Sequence, residues 1–274
     1  MKFIYVFIAG CMLQMMMVIC VPMALCTETF EFDGLIEPHM TIKVGSPVTG
    51  TLATVNVERG DTVQKGQVLA TLQSDVEKAT MELARTRANL EASIKANEAR
   101  SEYSKRQKER IEELYKKEVM PFEKMDEAET NRKLSELELL EAIENKRLAQ
   151  MEFKRAIEVV KRMEIRSPVK GVVVERFLSP GEYIENQPVL ELAQIDPLNV
   201  EVILPLDMLG SVREGMIAEV KPESPVSGAY SAKVTIVDRV IDAASGTFGV
   251  RLEIPNSEYL IPPGLKCKVM FPSE

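Results

Sequence analysis

The chain has 274 residues, 45% of them hydrophobic and 28% charged, with a formal net charge of −8. That length holds one large domain or two to three small ones, and the acidic balance repels a phosphate backbone, which excludes nucleic acid as a partner. Aromatic residues make up 5% with no Trp, which argues against an aromatic-lined sugar or nucleic-acid groove.

The first element in chain order is a leader. Lys2 is the only charge before Glu28, Phe3 to Val21 are almost wholly apolar, and Pro22 breaks the run. Ala24-Leu25-Cys26 offers small residues for a cut before Thr27, so residues 1–26 read as a secretory signal peptide. An uncleaved membrane anchor is the alternative, because the run is long enough to span a bilayer. Either way, the rest of the chain is expected outside the cytoplasm. Cys11, Cys20 and Cys26 fall in this leader, so Cys267 stands alone and no internal disulfide is expected. Cys267 alternates with Leu265 and Val269, the pattern of a buried strand residue.

Residues 28–43, with Phe30, Phe32, Leu35 and Ile36, are expected to form a strand. A repeat follows. Ser46-Pro47-Val48-Thr49-Gly50 returns as Ser167-Pro168-Val169-Lys170-Gly171, an offset of 121 residues. At the same offset Gly60 and Asp61 match Gly181 and Glu182, Val63 matches Ile184, and Leu69 matches Leu190. Residues 44–74 and 165–195 therefore read as two equivalent β-halves. Val55, Val57, Val63, Val68 and Leu69 supply the apolar positions of one half, and Val172, Val174, Ile184, Val189 and Leu190 those of the other. Gly50, Gly60, Gly171 and Gly181 are expected to mark tight turns.

Between the halves, residues 75–164 hold one Pro and no Gly amid abundant Glu, Lys, Arg, Ala and Leu, a strongly helical composition. Ser74 and Glu77 match a capping box. Val76, Leu83, Leu90, Asn97, Ser104 and Ile111 recur every seven residues, a heptad seam whose middle is polar. Pro121 ends the first arm near Glu118. The second arm, from about Glu123 to Met163, carries Met125, Leu134, Leu137, Leu140, Ile143, Leu148, Met151, Ile157 and Val160. The arms are nearly equal, each reaching about 65 Å at the helical rise per residue. An antiparallel hairpin of equal arms brings Leu72 and Ile165 together, so the β-halves pair into one domain. The polar seam is either a solvated, weakly packed coiled coil or a surface for docking further helices.

Residues 196–274 return to short alternating stretches between turns. Val200, Val202 and Leu204 alternate, Pro205 to Leu209 is a short helix or turn, Asp242 to Gly246 is a turn, and Pro262-Pro263-Gly264 precedes a last strand from Lys266 to Phe271. These features predict a small β-barrel. Chemistry-bearing constellations are sparse. His39 is the only histidine, so no His-based triad or multi-His metal site is available, and no phosphate-binding Gly loop is present. The carboxylates follow helical surface spacing. The expectation is a non-enzyme with neither cofactor nor metal.

The two β-halves resemble the biotinyl/lipoyl domain. In carriers of that type, an Asp-Lys hairpin between the halves holds the cofactor. Here the stretch reads Leu72-Gln73-Ser74-Asp75-Val76-Glu77-Lys78, with Val76 in place of the lysine. A leader, a lipoyl-like domain split by a helical hairpin and a following barrel together resemble the periplasmic adaptors, the membrane fusion proteins of the hemolysin D-like family. The local matches are Gly60 to Leu69, Ile165 to Gly171, Val240 to Thr247 and Pro262 to Leu265. The resemblance implies an elongated, multidomain α+β fold. Its parts are a lipoyl-like barrel-sandwich hybrid, an antiparallel α-helical coiled-coil hairpin that splits it, and a small β-barrel.

The resemblance further implies a periplasmic subunit associated with the inner membrane of a Gram-negative envelope. It would join an inner-membrane transporter of RND or ABC type to an outer-membrane channel, as a homo-oligomeric, hexameric ring. Adaptors for TolC-type channels carry Arg, Leu and Ser at the hairpin tip. Arg110 and Leu114 match, but Pro121 stands at the Ser position, which points to a channel divergent from the TolC type. The sequence ends just after the barrel, where many members add a membrane-proximal domain. Transporter contact is therefore expected from the barrel and residues 28–43. A lipoyl or biotin carrier-like accessory protein and a non-transport coiled-coil scaffold are the alternatives.

Overall fold

The computed structural model describes residues 30–272, so the leader and its three cysteines lie outside the described residues. The chain divides into two compact units. One holds Pro38–Leu198 with Asn256–Leu260, and the other holds the chain up to Glu37, Asn199–Pro255 and Ile261 onward.

In the first unit, the repeat is a structural one. β1 (Phe30–Val44) enters it, followed by β2 (Gly50–Val55), β3 (Thr62–Val63) and β4 (Val68–Leu72). Three helices intervene: α1 (Asp75–Ala88), α2 (Ala92–Lys116) and α3 (Phe122–Lys161). The second half adds β5 (Glu164–Arg166), β6 (Gly171–Arg176), β7 (Tyr183–Ile184) and the start of β8 (Leu190–Pro205). Each half lends strands to the other. β2 pairs antiparallel with β7, placing Gly50 opposite Ile184, and β6 pairs with β3, placing Gly171 opposite Val63. The repeat offset carries Gly50 to Gly171 and Val63 to Ile184, so the two pairings are equivalent with the halves exchanged.

The turns obey the same exchange. Gly60 N–H donates to Val173 O at 2.9 Å, and Gly181 N–H donates to Leu52 O at 2.8 Å. Asp61 Oδ2 accepts from Glu58 N–H at 2.8 Å, and Glu182 Oε2 accepts from Ser179 N–H at 3.2 Å. Both glycines have φ near +90° (+93° and +92°), the left-handed region that favours Gly. The two halves thus interlock about a pseudo-twofold axis. They enclose Leu52, Val57, Val63, Leu69, Leu72, Ile165, Val173, Ile184, Val189, Leu190 and Leu192.

Two sequence expectations need correction here. Gly50 and Gly171 are not turns: they open β2 and β6. Their smallness serves close approach. A Cβ on Gly171 would sit 2.3 Å from Ala193 O. In β6 the inward residues are Gly171 and Val173, whereas Val174 is exposed. Val174 is out of phase with Gly171 and Val173, so the sequence reading took the wrong face of the strand; a bulge follows, between Val173 and Glu175 in β6 and at the equivalent place between Leu52 and Thr54 in β2. An extra residue flips the alternation beyond it, and alternation read from sequence does not register the flip.

The second unit is a barrel. β9 (Ile217–Pro222), β10 (Tyr230–Val237), β11 (Thr247–Ile254) and β12 (Lys266–Phe271) join parts of β1 and β8 in the order β1-β12-β9-β10-β11-β8, and β1 also pairs with β8. Closure removes free strand edges. Inward residues include Ile36, Val202, Leu204, Val220, Val234, Val250, Leu252, Val269 and Phe271. Cys267 is buried among them, and desolvation pushes its thiol up to about 11, so it is an inert packing group.

The repeat yields a test in which equivalent residues behave differently. A Cβ on Gly50 meets only the movable end of Leu72, whereas one on Gly171 meets backbone. Gly171→Ala is expected to destabilise by about 1–3 kcal/mol and Gly50→Ala by under about 1 kcal/mol, measured by urea unfolding of the chain.

Candidate functional site

The halves are joined by a hairpin whose end returns to its start. Leu72 N–H donates to Met163 O at 2.9 Å, and β4 pairs with β5, setting Ala70 opposite Ile165. α3 has 40 residues, which gives it a length of about 60 Å. No helix of the described residues is long and apolar enough to cross a membrane. Ser74 is the N-cap residue of α1, but its side chain makes no capping bond, so the expected box is not formed. Val76, at the carrier-lysine position, lies in the first turn of α1 and is 76% exposed.

The first arm is not one helix. It breaks at Asn89–Glu91 without Pro or Gly. The seam explains the break. On α3 the inward positions are Met125, Ala128, Arg132, Ser135, Leu139, Ala142, Lys146, Ala149, Phe153, Ala156 and Val160, an unbroken alternation of three and four. On the facing arm Met81, Ala84 and Ala88 point inward, then Ile94, Asn97, Ser101, Ser104, Lys108 and Ile111. The step from Ala88 to Ile94 is six residues, one short of a heptad. A continuous helix would rotate α2 off α3, and the break resets the phase. Glu91 pins it: its carboxylate accepts from Lys146 of α3 at 2.7 Å and lies 3.4 Å from Lys95. Those two ammonium groups, Lys146 foremost, hold the Glu91 carboxyl below its usual value.

The seam is therefore narrower than the sequence pattern indicates. Asn97, Ser104 and Ile111 belong to it, but Val76, Leu83 and Leu90 face solvent because they precede the phase reset. Leu134, Leu137, Leu140, Ile143, Leu148 and Met151 are also exposed, Leu137 by 61%. The buried contacts of α3 are Ala128, Ser135 and Ala142, with the Ser135 hydroxyl bonded to that of Ser104. Small residues let the arms approach closely at these positions, and Leu134, Leu137, Leu140 and Leu148 are left on the outside. Between α1 and α3 this leaves an open groove of about 460 Å³, lined by Val76, Leu83, Arg87, Glu152, Arg155 and Val159 among others.

At the far end the chain turns in a Schellman motif. Glu118 N–H donates to Tyr115 O at 2.8 Å, and Val119 N–H donates to Leu114 O at 3.0 Å. Glu118 takes φ +60° at the position where Gly is usual. Pro121 has φ −72° and ψ 156°, the extended conformation of a helix N-cap, and starts α3. Below the turn, Glu112 lies between Lys108 at 2.6 Å and Lys116 at 2.9 Å, which together hold its carboxyl down at about 2.

Of the three tip residues picked out in the sequence, Arg110 and Leu114 line one groove of about 260 Å³ with Tyr103, Arg106, Gln107, Ile111 and Met120. Pro121 is outside it, adjoining Met120 in the chain. The sequence reading missed Val119 and Phe122, which are 67% and 62% exposed. Tyr115 and Phe122 meet edge to face with centroids 6.2 Å apart. The apolar run Val119-Met120-Pro121-Phe122 at a turn was the available signal.

The family described as the CzcB-like, barrel-sandwich hybrid domain matches residues 40–194. An uncharacterized protein of Haemophilus influenzae is 21% identical over 254 residues, covering 90% of this chain and 59% of that protein. The chain thus spans about three fifths of the length of that curated relative. Among solved structures, MacA from Actinobacillus actinomycetemcomitans matches with a TM-score of 0.73 at 19% identity, over 90% of this chain and 79% of that one. The membrane fusion protein Spr0693 from Streptococcus pneumoniae R6 matches with a TM-score of 0.60 at 13% identity, over 89% and 99%. These likenesses show a shared fold: barrel-sandwich hybrid, helical hairpin and β-barrel.

The seam assignment is open to direct test. Leu137→Lys is expected to change the stability of the monomeric chain by less than about 0.5 kcal/mol. Ala142→Leu is expected to destabilise it by about 1–3 kcal/mol, both followed by helical circular dichroism during unfolding.

Proposed function

Since the chain belongs to the CzcB-like barrel-sandwich hybrid family, we propose that it is a membrane fusion adaptor acting in tripartite efflux or secretion. In this reading it works in the periplasm at the inner membrane, linking a transporter of RND or ABC type to an outer-membrane channel. One observation carries the reading. The loop that would present a carrier's lysine is instead a hairpin of about 60 Å, with an exposed apolar tip at its far end. A prosthetic arm has been exchanged for a protein arm, and the partners of such an arm are other proteins. The chemistry to be performed is positioning, with no bond made or broken.

The exposed rows along the hairpin support assembly of copies into a ring, for which six is the family's usual number. Leu83 and Leu90 on the first arm, and Leu134 and Leu148 on the second, form apolar surface that a solitary hairpin would not need. The groove between α1 and α3 combines this surface with Arg87, Glu152 and Arg155, charges of both signs that can fix register between neighbours. The divergent tip, with Pro121 where a hydroxyl is usual, favours a channel that differs from the TolC type. Transporter contact is assigned to the barrel and the strand preceding it.

The test is genetic and biochemical together. Removing the gene is expected to sensitise cells to a subset of a broad panel of exported toxic compounds, and the tagged chain is expected to co-purify with an inner-membrane transporter. Unchanged sensitivity across the panel, with no transporter recovered after cross-linking, would sink the proposal.

A further inference from the structure

One end of the barrel is apolar on its outside. β1 starts there at Phe30, opposite Phe271 at the close of β12, and β12 sets Met270 opposite Glu219 near the start of β9. The loop from β8 to β9 and the loop from β10 to β11 reach the same end, where Leu206 N–H donates to Gly246 O at 3.1 Å. Six large apolar side chains of this rim, Phe30, Leu206, Leu209, Ile217, Val240 and Ile241, are exposed. Val240, at 86%, is the most exposed large apolar residue among those described.

The loops that carry them are anchored. Met208 and Val212 of the first loop are buried, so the inner side of that loop is already filled and Leu206 and Leu209 stay outside. The second loop is closed by Asp242 N–H donating to Thr247 O at 2.9 Å and Gly246 N–H donating to Asp242 O at 2.8 Å, which fixes the segment just after Val240 and Ile241. Side chains standing singly on separate loops, with charges of both signs between them, suit a broad fluid surface. The chain indicates which surface. The apolar run Phe3 to Val21 ends nine residues before Phe30, a reach of about 30 Å when extended. A leader seated in a bilayer holds this end of the barrel within that distance of it.

We infer that the rim is a lipid-contacting face, whose apolar side chains enter the headgroup region of the membrane that the leader engages. The inference rests on the leader bringing the chain to a membrane, as in the adaptor reading, and is independent of a role in transport. The charges set the lipid. On these loops Asp207, Glu214, Asp238 and Asp242 outnumber Arg213 and Arg239, so a strongly anionic surface repels the rim and a zwitterionic one admits it. A second copy docked rim to rim would bring two acidic excesses together, which makes it the poorer occupant.

The test uses the full chain in its own cells, with the photo-crosslinker benzoylphenylalanine placed at Val240. The expected product is the chain carrying the mass of a phospholipid on the peptide that holds this position. The same group at Glu223, exposed just beyond the other end of β9, is expected to take up none. Leu206→Asp combined with Leu209→Asp is expected to cut the lipid adduct about tenfold, the consequence of losing the burial of two leucines. Val240→Asp, read from a crosslinker at Leu209, is expected to do the same from the other loop and serves if the first pair fails to fold. With the purified full chain, vesicles of phosphatidylcholine are expected to give at least the yield of vesicles that also contain phosphatidylglycerol. An adduct with a transporter or a second copy, no adduct, an equal lipid yield at Glu223, indifference to these substitutions, or a yield that rises with phosphatidylglycerol each overturns the inference. If it fails while compound sensitivity still depends on the gene, the adaptor reading stands. If the lipid adduct forms and sensitivity does not depend on the gene, the rim stands and the transport role falls.

Discussion

The structure depends on where the hairpin delivers its chain. β4 leaves the sandwich at Leu72 and β5 re-enters beside it, joined by the bond from Leu72 N–H to Met163 O. An antiparallel pair of matched arms interrupts the domain for some ninety residues and still places Ala70 opposite Ile165. From that return follow the exchange of strands between the halves, the matched turns at Gly60 and Gly181, and a single core fed by both sides of the insertion. The hairpin can therefore project far from the sandwich without drawing on its packing.

The hairpin itself is held by modest interactions. Its buried contacts are Ala and Ser, and the pairs that cross it, Glu91 with Lys146, Arg100 with Glu138 and Lys108 with Glu129, are partly exposed ion pairs of small individual worth. Leu83, Leu90, Leu134, Leu137, Leu140 and Leu148 point away from the seam. This division of labour suits an arm that finishes its packing against neighbours: small residues fix the distance between the helices, and the outward Leu residues are left for association.

The legibility of the sequence follows the same physics. The β-halves were readable because turn glycines and buried positions recur at one fixed offset, so two weak signals reinforced each other. The seam was read correctly at Asn97, Ser104 and Ile111 and wrongly at Val76, Leu83, Leu90 and Leu134 to Met151, because apolar size is a poor guide where close approach selects Ala and Ser. The break at Asn89–Glu91 lacks the Pro or Gly that usually announces one. Val76, Leu83 and Leu90 keep heptad spacing with Asn97 and Ser104 in the sequence, but the phase reset puts them on different faces. Val174 misled because three consecutive valines, Val172 to Val174, do not say which phase faces inward, and Gly171 with Val173 holds that face. At the tip, Arg110 and Leu114 were visible through the resemblance, whereas Met120 and its exposed neighbours were not. They emerged once α2 and the turn were seen to share a groove.

The most direct measurement is on a chain in which residues 75–161 are replaced by a tight turn. Strand pairing is followed by amide hydrogen exchange, and export by compound sensitivity in cells carrying only that chain. If the hairpin is an arm that carries the partners and leaves the sandwich self-sufficient, the β-rich units remain folded with Ala70 and Ile165 amides protected, and export is lost. A chain that no longer protects those amides, or one that stays folded and still supports export, contradicts it.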